Sequence, residues 1–257
     1  MLLPKRLGAL LSLLALATCA CAQDAYTLRY RALPQALKYR TLEVSVIVVM
    51  RAGEEPRSTR TERGAIELYR AKEQGASLLD VAVDTLSVTC SRDGVATPAP
   101  AVGTAHRVID LRGFTRDPQG HETVASPLAL ILPEPELKLG PAIFGVRGLG
   151  ESSETVTSEP SPPIPVRVPV VTKVAGIVQV GDRTCVRLEQ SARVSQKLAG
   201  DTRLYEYVLR GWSLFDPALG AVIESSIEER VDDAVLPPPR TGQLRRRRET
   251  VRTSKLY

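Results

Sequence analysis

Apolar and polar residues alternate along most of this chain, and no other feature constrains its fold as much. Residues 26–32 carry apolar side chains at every second position, and residues 203–210 (RLYEYVLR) repeat the pattern far downstream. Successive side chains of a β-strand point to opposite faces, so a period of two predicts strands with one buried face and one solvated face. The alternation recurs on both sides of a proline-rich stretch at 133–165 and predicts β-structure almost throughout.

Short turn signals separate the apolar runs at the spacing of hairpins. They are Arg92-Asp93-Gly94, Val180-Gly181-Asp182 and the longer Asp216-Pro217-Ala218-Leu219-Gly220. Such glycine-containing turns connect antiparallel neighbours, whereas parallel strands need crossovers of a dozen or more residues. The pattern predicts about eleven or twelve strands in an antiparallel sheet.

The second predicted strand changes phase part of the way along. Leu37 and Tyr39 stand on odd positions, whereas the run 42–50 is apolar on even positions. A one-residue slip turns every later side chain to the other face, so we predict a β-bulge near Arg40-Thr41.

Three further segments complete the layout. Residues 51–63 are charged and turn-rich and are expected to form a loop. Residues 65–73 have a helical composition but apolar residues at spacing two, and we assign them to a strand. Residues 133–165 hold seven prolines and a polar block, which predicts a linker or long surface loop.

Together these features predict an all-β chain. We expect a large antiparallel, strongly curved sheet, either a half-barrel or a barrel, with hairpin connections. Residues 23–257 are expected to form a single β-rich domain of two halves, 23–132 and 166–257, joined by the proline-rich loop 133–165.

Residues 1–22 resemble an export signal. Lys5 and Arg6 precede an apolar run at 7–17, and residues 20–22 (ACA) have the small residues that a signal peptidase accepts. Eleven helical residues rise about 16 Å, roughly half of a bilayer core, so no membrane span is expected in the mature chain.

Cleavage near Ala22 would make the mature protein periplasmic or secreted. Lipid anchoring at Cys19 is the alternative, because residues 16–19 (LATC) also resemble the box before a lipidated cysteine of bacterial lipoproteins. A buried N-terminal helix is the third interpretation.

The basic character of the chain is concentrated at its end. The whole chain has a formal net charge of +5, whereas residues 240–257 alone carry +6. The remainder of the mature chain is therefore slightly acidic, and we expect no nucleic-acid partner.

Motifs of catalysis and metal binding are missing from the mature sequence. It contains no G-x-S-x-G, glycine-rich phosphate loop, H-E-x-x-H or C-x-x-C. His106 alternates with Val108 and is interpreted as structural, and His121 follows a turn as an ordinary exposed residue. We predict no catalytic residue, no cofactor and no metal site, and expect that the protein is not an enzyme.

Two charged clusters admit two interpretations each. The acidic run of Glu224, Glu228, Glu229, Asp232 and Asp233 is expected to be a solvated strand face and loop, with a calcium site as the alternative. The arginines at 245–248 are expected to protect the edge of a last strand from pairing with other chains. Docking to an anionic membrane or envelope polymer is the alternative.

Only two cysteines, Cys90 and Cys185, remain in the mature chain. A disulfide between them would close a long loop and contribute about 3–5 kcal/mol. The strand phase opposes it, because Cys90 is in step with core residues and Cys185 is out of step with Val186 and Leu188.

Several turn and strand motifs resemble those of a group of uncharacterised exported bacterial β-rich proteins, a domain of unknown function. The matching positions are Tyr26, Leu28, Tyr30, Leu37 and Tyr39, the segment 135–141, the strand 181–188 and the hairpin 211–220. The chain departs from the group at Gly140-Pro141, where an acidic residue and a tryptophan are usual. The resemblance implies a fold continuous across the proline-rich stretch and no known activity.

Three functions are consistent with this pattern. The first is an exported envelope protein that binds a hydrophobic ligand or lipid in a curved β-sheet, by analogy with half-barrel lipid carriers. The second is a structural or interaction module of the cell envelope, with 133–165 and the basic tail as contact segments. The third is a hydrolase that uses dispersed carboxylates.

Overall fold

The computed structural model describes residues 26–51, 53–111, 115–116, 145–159, 166–198, 203–235 and 244–257. All regular secondary structure in these ranges is β-strand. Within them, too, no helix has the length and apolar character needed to cross a membrane. Residues 1–22, with Cys19 and the predicted cleavage site, and His121 lie outside the described residues.

Seven strands come from the first half of the chain. They are β1 (Tyr26–Leu28), β2 (Leu37–Arg51), β3 (Arg57–Glu73), β4 (Leu78–Arg92), β5 (Val95–Thr97), β6 (Thr104–Asp110) and β7 (Thr115–Arg116). Seven more come from the second half. They are β8 (Gly145–Arg147), β9 (Ser152–Glu159), β10 (Val166–Val180), β11 (Arg183–Leu198), β12 (Arg203–Asp216), β13 (Ala221–Val235) and β14 (Leu244–Leu256).

Twelve of these strands form one sheet. Its order is β7-β6-β4-β3-β2-β14-β13-β12-β11-β10-β9, with β5 beside β4, and β1 pairs separately with β8. Every pairing is antiparallel. The end strands β7 and β9 do not pair with each other in the described part of the chain, so the sheet is not closed. The all-β, antiparallel prediction is confirmed.

The sheet is strongly curved around the segment that follows β1. The Tyr30 amide donates to the carbonyl of Leu111, just after β6, at 2.9 Å, and the Tyr30 ring contacts Phe215 on β12 at 5.9 Å between centroids. Six strand spacings separate β6 from β12, which is about 29 Å in a flat sheet. One tyrosine bridges them, so the strands must bend towards each other.

We call the concave side, which carries Tyr39, the inner face, and we call its tyrosine-lined end the packed end. The core there takes residues from both ends of the sheet order, from β6, β4, β3 and β2 and from β13, β12, β11 and β10. It also takes residues from β1 and the segment that follows it. Its buried members are Leu28, Tyr30, Leu37, Tyr39, Tyr69, Ala71, Leu79, Val81, Ile109, Val174, Val186, Leu188, Phe215, Ala221 and Val222. The Tyr39 hydroxyl donates to the carbonyl of Val222 at 2.6 Å, so this large buried side chain leaves no polar atom unpaired.

The turn between β12 and β13 seals the packed end against the N-terminal segment. Asp216 Oδ1 accepts hydrogen bonds from the amides of Ala218 and Leu219, at 2.9 and 3.0 Å. Gly220 has a φ of +71°, and a Cβ there would lie 2.9 Å from the backbone nitrogen of Arg31. Both the positive φ and the close approach require glycine at this position.

The bulge predicted near Arg40-Thr41 does not exist. β2 pairs without a register shift along its whole length with both β3 and β14. Odd-numbered residues of β2 therefore stay on the inner face, and the apolar even-numbered residues 42–50 lie on the opposite, outer face. Leu42 is 44% exposed there. The prediction was wrong because it assumed that apolar residues always face the core, whereas long strands also carry apolar residues on their outer face.

Two loop predictions also differ from the structure. Residues 57–63, expected in a loop, begin β3 and pair with β2 and β4. β8 and β9 lie inside 133–165, and the other residues of that range, apart from 148–151, are outside the described ones. The residues at 57–63 and most residues of β9 are polar, and β8 is only three residues long, so the hydrophobic pattern does not reveal these strands.

The basic C-terminal segment occupies the centre of the sheet. β14 pairs with β13 on one side and with β2 on the other, which joins the strands of the two halves in one sheet. The expectation that the arginines at 245–248 protect a free edge is therefore wrong. A central strand can be this basic because its neighbours supply carboxylates. The prediction failed because these neighbours are distant in sequence and cannot be recognised from local composition.

Candidate ligand-binding face

Nine buried polar residues cross the middle of the inner face, and we call them the polar belt. They are Thr41, Glu67, Thr172, Gln190, Ser213, Ser225, Thr250, Arg252 and Ser254. One row of the sheet register runs directly from Thr41 through Ser254 and Ser225 to Ser213, across four neighbouring strands. Opposed residues of antiparallel strands have Cβ atoms about 4.5–5.5 Å apart. Four of the nine residues thus form a continuous polar row across neighbouring strands.

Arg252 is the charged centre of the belt, and only part of its guanidinium is paired. Its Nε donates to Glu43 Oε2 on β2 at 2.8 Å, and its Nη2 lies 2.6 Å from the same oxygen in an ion pair. Arg252 is only 9% exposed, and Nη1 has no hydrogen-bond partner among the described residues. One side of a rigid, permanently charged fork is therefore left without an acceptor.

Two serine hydroxyls of the belt share this condition. Ser213 is 0% and Ser225 is 2% exposed, and in the described part of the chain neither Oγ has a hydrogen-bond partner. A buried polar group that is left unpaired costs about 1–3 kcal/mol. Native structures rarely keep such groups without a bound molecule or another compensating role.

Glu67 lies at the border between the belt and the packed end, and it titrates unusually. Burial raises the pKa of this carboxyl from 4.5 to about 6, and the nearby positive charge of Arg63 partly opposes the shift. The shift has the sign expected when desolvation disfavours the charged form. Glu67 therefore changes charge within a mildly acidic range.

A second apolar cluster lies on the inner face beyond the belt, on β10 to β13. Its buried members are Val168, Val170, Ala192, Tyr205, Tyr207, Leu209, Ile227 and Val231. The belt thus separates this cluster from the packed end. Along the strands, the inner face passes from apolar to polar and back to apolar.

The inner face is more accessible on the strands that come from the first half of the chain. Ile47 and Val49 on β2 and Val88 on β4 are half-buried, in contrast with the buried second cluster. The Glu43 side chain, which holds Arg252, is 30% exposed. A molecule can therefore approach the charged centre of the belt from this side.

The acidic run differs from the predicted solvated face at Asp232, which is buried, whereas Glu228 is exposed as expected. Asp232 has a side chain only 4% exposed on the outer face, where Arg247 Nε lies 3.0 Å and Arg245 Nη2 lies 3.5 Å from Oδ1. Arg230 Nε lies 3.7 Å from Oδ2. Three arginines from two strands compensate one buried carboxylate, because the register places β14 beside β13.

Two other acidic residues of the run have partners of their own. Glu224 pairs with Lys255 at 3.2 Å, and Glu229 accepts a hydrogen bond from the Tyr207 hydroxyl at 3.2 Å. Among the described residues, no group of three or more His, Cys, Asp and Glu side chains is arranged to hold a metal ion. His106 Nδ1 lies 3.8 Å from Asp80 Oδ1, and this side chain is 64% exposed.

The two cysteines are free and lie on opposite faces of the sheet. Cys90 shares the inner face with Arg63, whereas Cys185 is buried on the outer face in a small cluster with Leu214 and Ile223. The strand phase correctly predicted that they face apart. Burial is the largest cause that raises the pKa of the Cys185 thiol, which makes it an unreactive core residue.

The outer face carries a shallow groove over β9 to β13. It encloses about 620 Å³, and Lys173, Arg187, Arg210, Trp212 and Glu228 contribute to its lining. The Arg187 guanidinium lies 5.4 Å from the centroid of the Trp212 ring and 3.2 Å from Glu189 Oε1. The one tryptophan of the chain is thus already covered by a cation, which leaves less of the indole face for a ligand.

No candidate in the sequence pointed to the polar belt. The available signal was serine and threonine at positions in phase with buried apolar residues, as Ser225 is with Ile227. Such residues look ordinary in a strand until the register shows that four of them meet. Comparison with protein-family models and with curated proteins finds no match to this chain.

Proposed function

We propose that this protein is a non-enzymatic, exported envelope protein that binds an apolar or amphipathic ligand against the inner face of its sheet. The observation that carries the proposal is the polar belt, whose buried Ser213, Ser225 and Arg252 Nη1 atoms lack partners between two apolar clusters. A ligand with both apolar and polar parts would cover apolar surface and supply the missing hydrogen bonds together.

The curvature of the sheet supports the same proposal. A concave surface that combines apolar side chains with a few polar groups that orient the ligand is the usual form of a small-molecule site. The half-buried Ile47, Val49 and Val88 provide apolar surface that is within reach of solvent. The export part of the proposal comes from the sequence of residues 1–22 alone.

The alternative, an envelope interaction module that uses the basic tail as a contact segment, has less support. Residues 244–256 form a central strand, and two of the arginines hold Asp232. Deletion of residues 240–257 would remove this strand from the middle of the sheet. It would therefore unfold the protein and could not reveal a contact role.

Uptake of a fluorescent fatty acid by the purified chain tests the proposal. Saturable uptake is expected, with lipid also retained in native mass spectrometry after gentle purification. Val49→Glu should abolish uptake, because it replaces apolar surface of the inner face by a carboxylate. The matched control is Val48→Glu, which alters the adjacent half-buried valine on the outer face and should bind as the wild type does. No uptake by the wild type, or equal uptake by both variants, would refute the proposal.

A further inference from the structure

The charges of the inner face are distributed unevenly. On β14, β2, β3, β4 and β6, the register places only three carboxylates on the inner face, those of Glu43, Glu67 and Glu73. It places eight arginines there: Arg51, Arg57, Arg63, Arg92, Arg107, Arg246, Arg248 and Arg252. These strands make this side of the inner face basic, although the mature chain outside its tail is slightly acidic. The neighbouring strand β13 adds two carboxylates to the inner face, those of Glu229 and Asp233.

The residues that carry the unpaired atoms of the belt lie on neighbouring strands of the inner face, beside this basic surface. Ser225 lies directly opposite Ser254 on β14, which makes Arg252 its diagonal neighbour on the same face. Diagonal neighbours have Cα atoms about 7–8 Å apart, within the reach of an arginine side chain. Ser213 is directly opposite Ser225 on the next strand. Arg252, Ser225 and Ser213 therefore lie on the same face of three neighbouring strands.

The chemistry of these atoms selects the group that they would bind. Arg252 Nη1 can only donate, and a serine hydroxyl can donate as well as accept. The missing partner is therefore a hydrogen-bond acceptor with more than one lone pair. Charge-assisted hydrogen bonds from arginine to a carboxylate or phosphate are stronger than those to a neutral oxygen, and a cationic group would be repelled.

We propose that the ligand is an anionic amphiphile, whose carboxylate or phosphate accepts hydrogen bonds from Arg252 Nη1, Ser225 and Ser213. Its apolar chain lies along the inner side of β2, over the half-buried Ile47 and Val49 that follow Glu43 on this strand. This inference rests on the proposed function and adds the class of ligand and the residues that recognise its charged end. Glu43 acts as a positioning residue, because it holds the other two nitrogens of the Arg252 fork.

Ligands that share one chain and differ only at the polar end test this inference. Calorimetry with dodecanoate, dodecyl phosphate, dodecanol and dodecyltrimethylammonium, each below its micellar concentration, gives the relative affinities. Both anions are expected to bind about tenfold or more tightly than dodecanol, and the cation least tightly. Acetate and inorganic phosphate, tested alone, should bind far more weakly than their dodecyl counterparts.

The variants locate the preference at the belt. Arg252→Lys keeps a positive charge beside Glu43 but removes Nη1, so the ratio of dodecanoate to dodecanol affinity should fall towards one. The double variant Ser213→Ala/Ser225→Ala is expected to fold as the wild type does and to lower the same ratio by a smaller factor. Arg40→Gln, on the exposed outer side of β2, is the control and should leave the ratio unchanged.

The possible failures are distinguishable. Equal binding of dodecanol and the two anions by the wild type would overturn the anionic ligand and leave the proposed function intact. Failure of every dodecyl compound to bind would overturn both. Inorganic phosphate as tight as dodecyl phosphate would overturn the amphiphile, and an unchanged ratio in the serine double variant would overturn the role of the belt.

Discussion

The packed end and the polar belt lie next to each other on the inner face, but they treat buried polar groups differently. At the packed end, the Tyr39 hydroxyl is matched with a backbone carbonyl, and Tyr39 also packs edge-on against Tyr69 at 6.2 Å between centroids. In the belt, Ser213, Ser225 and Arg252 Nη1 are buried without such partners. Within one sheet, the buried Tyr39 hydroxyl of the packed end thus has a hydrogen-bond partner, whereas several buried polar atoms of the belt have none in the described part of the chain.

This difference indicates a division of labour along the strands. Burial of paired aromatic side chains stabilises the fold, whereas unpaired polar atoms oppose it by about 1–3 kcal/mol each. A region that lowers stability is kept when it serves another purpose, and active or binding sites are common examples. The comparison therefore makes quantitative predictions about which substitutions cost stability and which do not.

The largest effect is expected at the packed end. Phe215→Ala should lower the free energy of unfolding by about 3–5 kcal/mol, because it removes a fully buried ring that contacts Tyr30. Urea denaturation measures the change. Leu86→Ala, at a bulge where the side chain is 52% exposed, is the control and should cost less than about 0.5 kcal/mol. Similar losses in the two variants would show that the packed end does not dominate stability.

A smaller loss is expected at the outer-face arginine cluster. Asp232→Asn should cost about 1–3 kcal/mol, since Arg230, Arg245 and Arg247 would lose the buried carboxylate that they surround. Glu228→Gln, on the same strand but exposed, should change the free energy of unfolding little. If Asp232→Asn left the free energy of unfolding unchanged, paired polar groups outside the belt would not be stabilising. The contrast between paired and unpaired polar groups would then fail.

Glu67→Gln should change the pH dependence of stability. Between pH 4.5 and about 6 the folded chain holds a proton that the unfolded chain releases, so stability falls as the pH rises through this window. The loss of stability reaches up to about 2 kcal/mol and persists at pH values above this window. The variant should lack this slope and be more stable than the wild type above pH 6. Urea midpoints measured from acidic to neutral pH would detect the difference, and parallel curves would contradict it.

The smallest effect is the most diagnostic for the belt. Ser213→Ala and Ser225→Ala should each leave stability unchanged or raise it by up to about 1 kcal/mol, because no described partner is lost. Thr250→Val is the comparison, since Thr250 Oγ1 donates to Ser45 Oγ at 3.2 Å and its loss should cost about 1 kcal/mol. If the serine variants were as costly as Thr250→Val, the hydroxyls would be satisfied and the belt would not be incomplete.

The alternation and the turns could be recognised in advance because they are local properties. Asp93 and Gly94 both have positive φ, at 50° and 81°, which is the geometry that an Asp-Gly hairpin turn needs. The strands over 65–73 and 78–91 follow from apolar residues at spacing two and are confirmed within β3 and β4. In each case a few neighbouring residues contain the information.

The position of β14 and the burial of Asp232 could not be recognised in this way. Residues 245–248 read as an edge because four consecutive arginines suit solvent, and nothing nearby in sequence reveals Asp232 as their partner. The bulge assigned to β2 failed for the same reason, since the phase of a strand depends on its neighbours. Strand pairing between distant segments is non-local, and local composition does not specify it.

By itself, the sequence determined that this protein is a sheet of antiparallel strands and where most of its hairpins turn, because the period of two and the turn residues act within a few positions. Only the tertiary structure decided which strands are neighbours, which face is enclosed and that scattered serines meet Arg252 in one belt. The physical reason is that register and curvature arise from pairing and packing between segments more than two hundred residues apart, as between Tyr39 and Leu256.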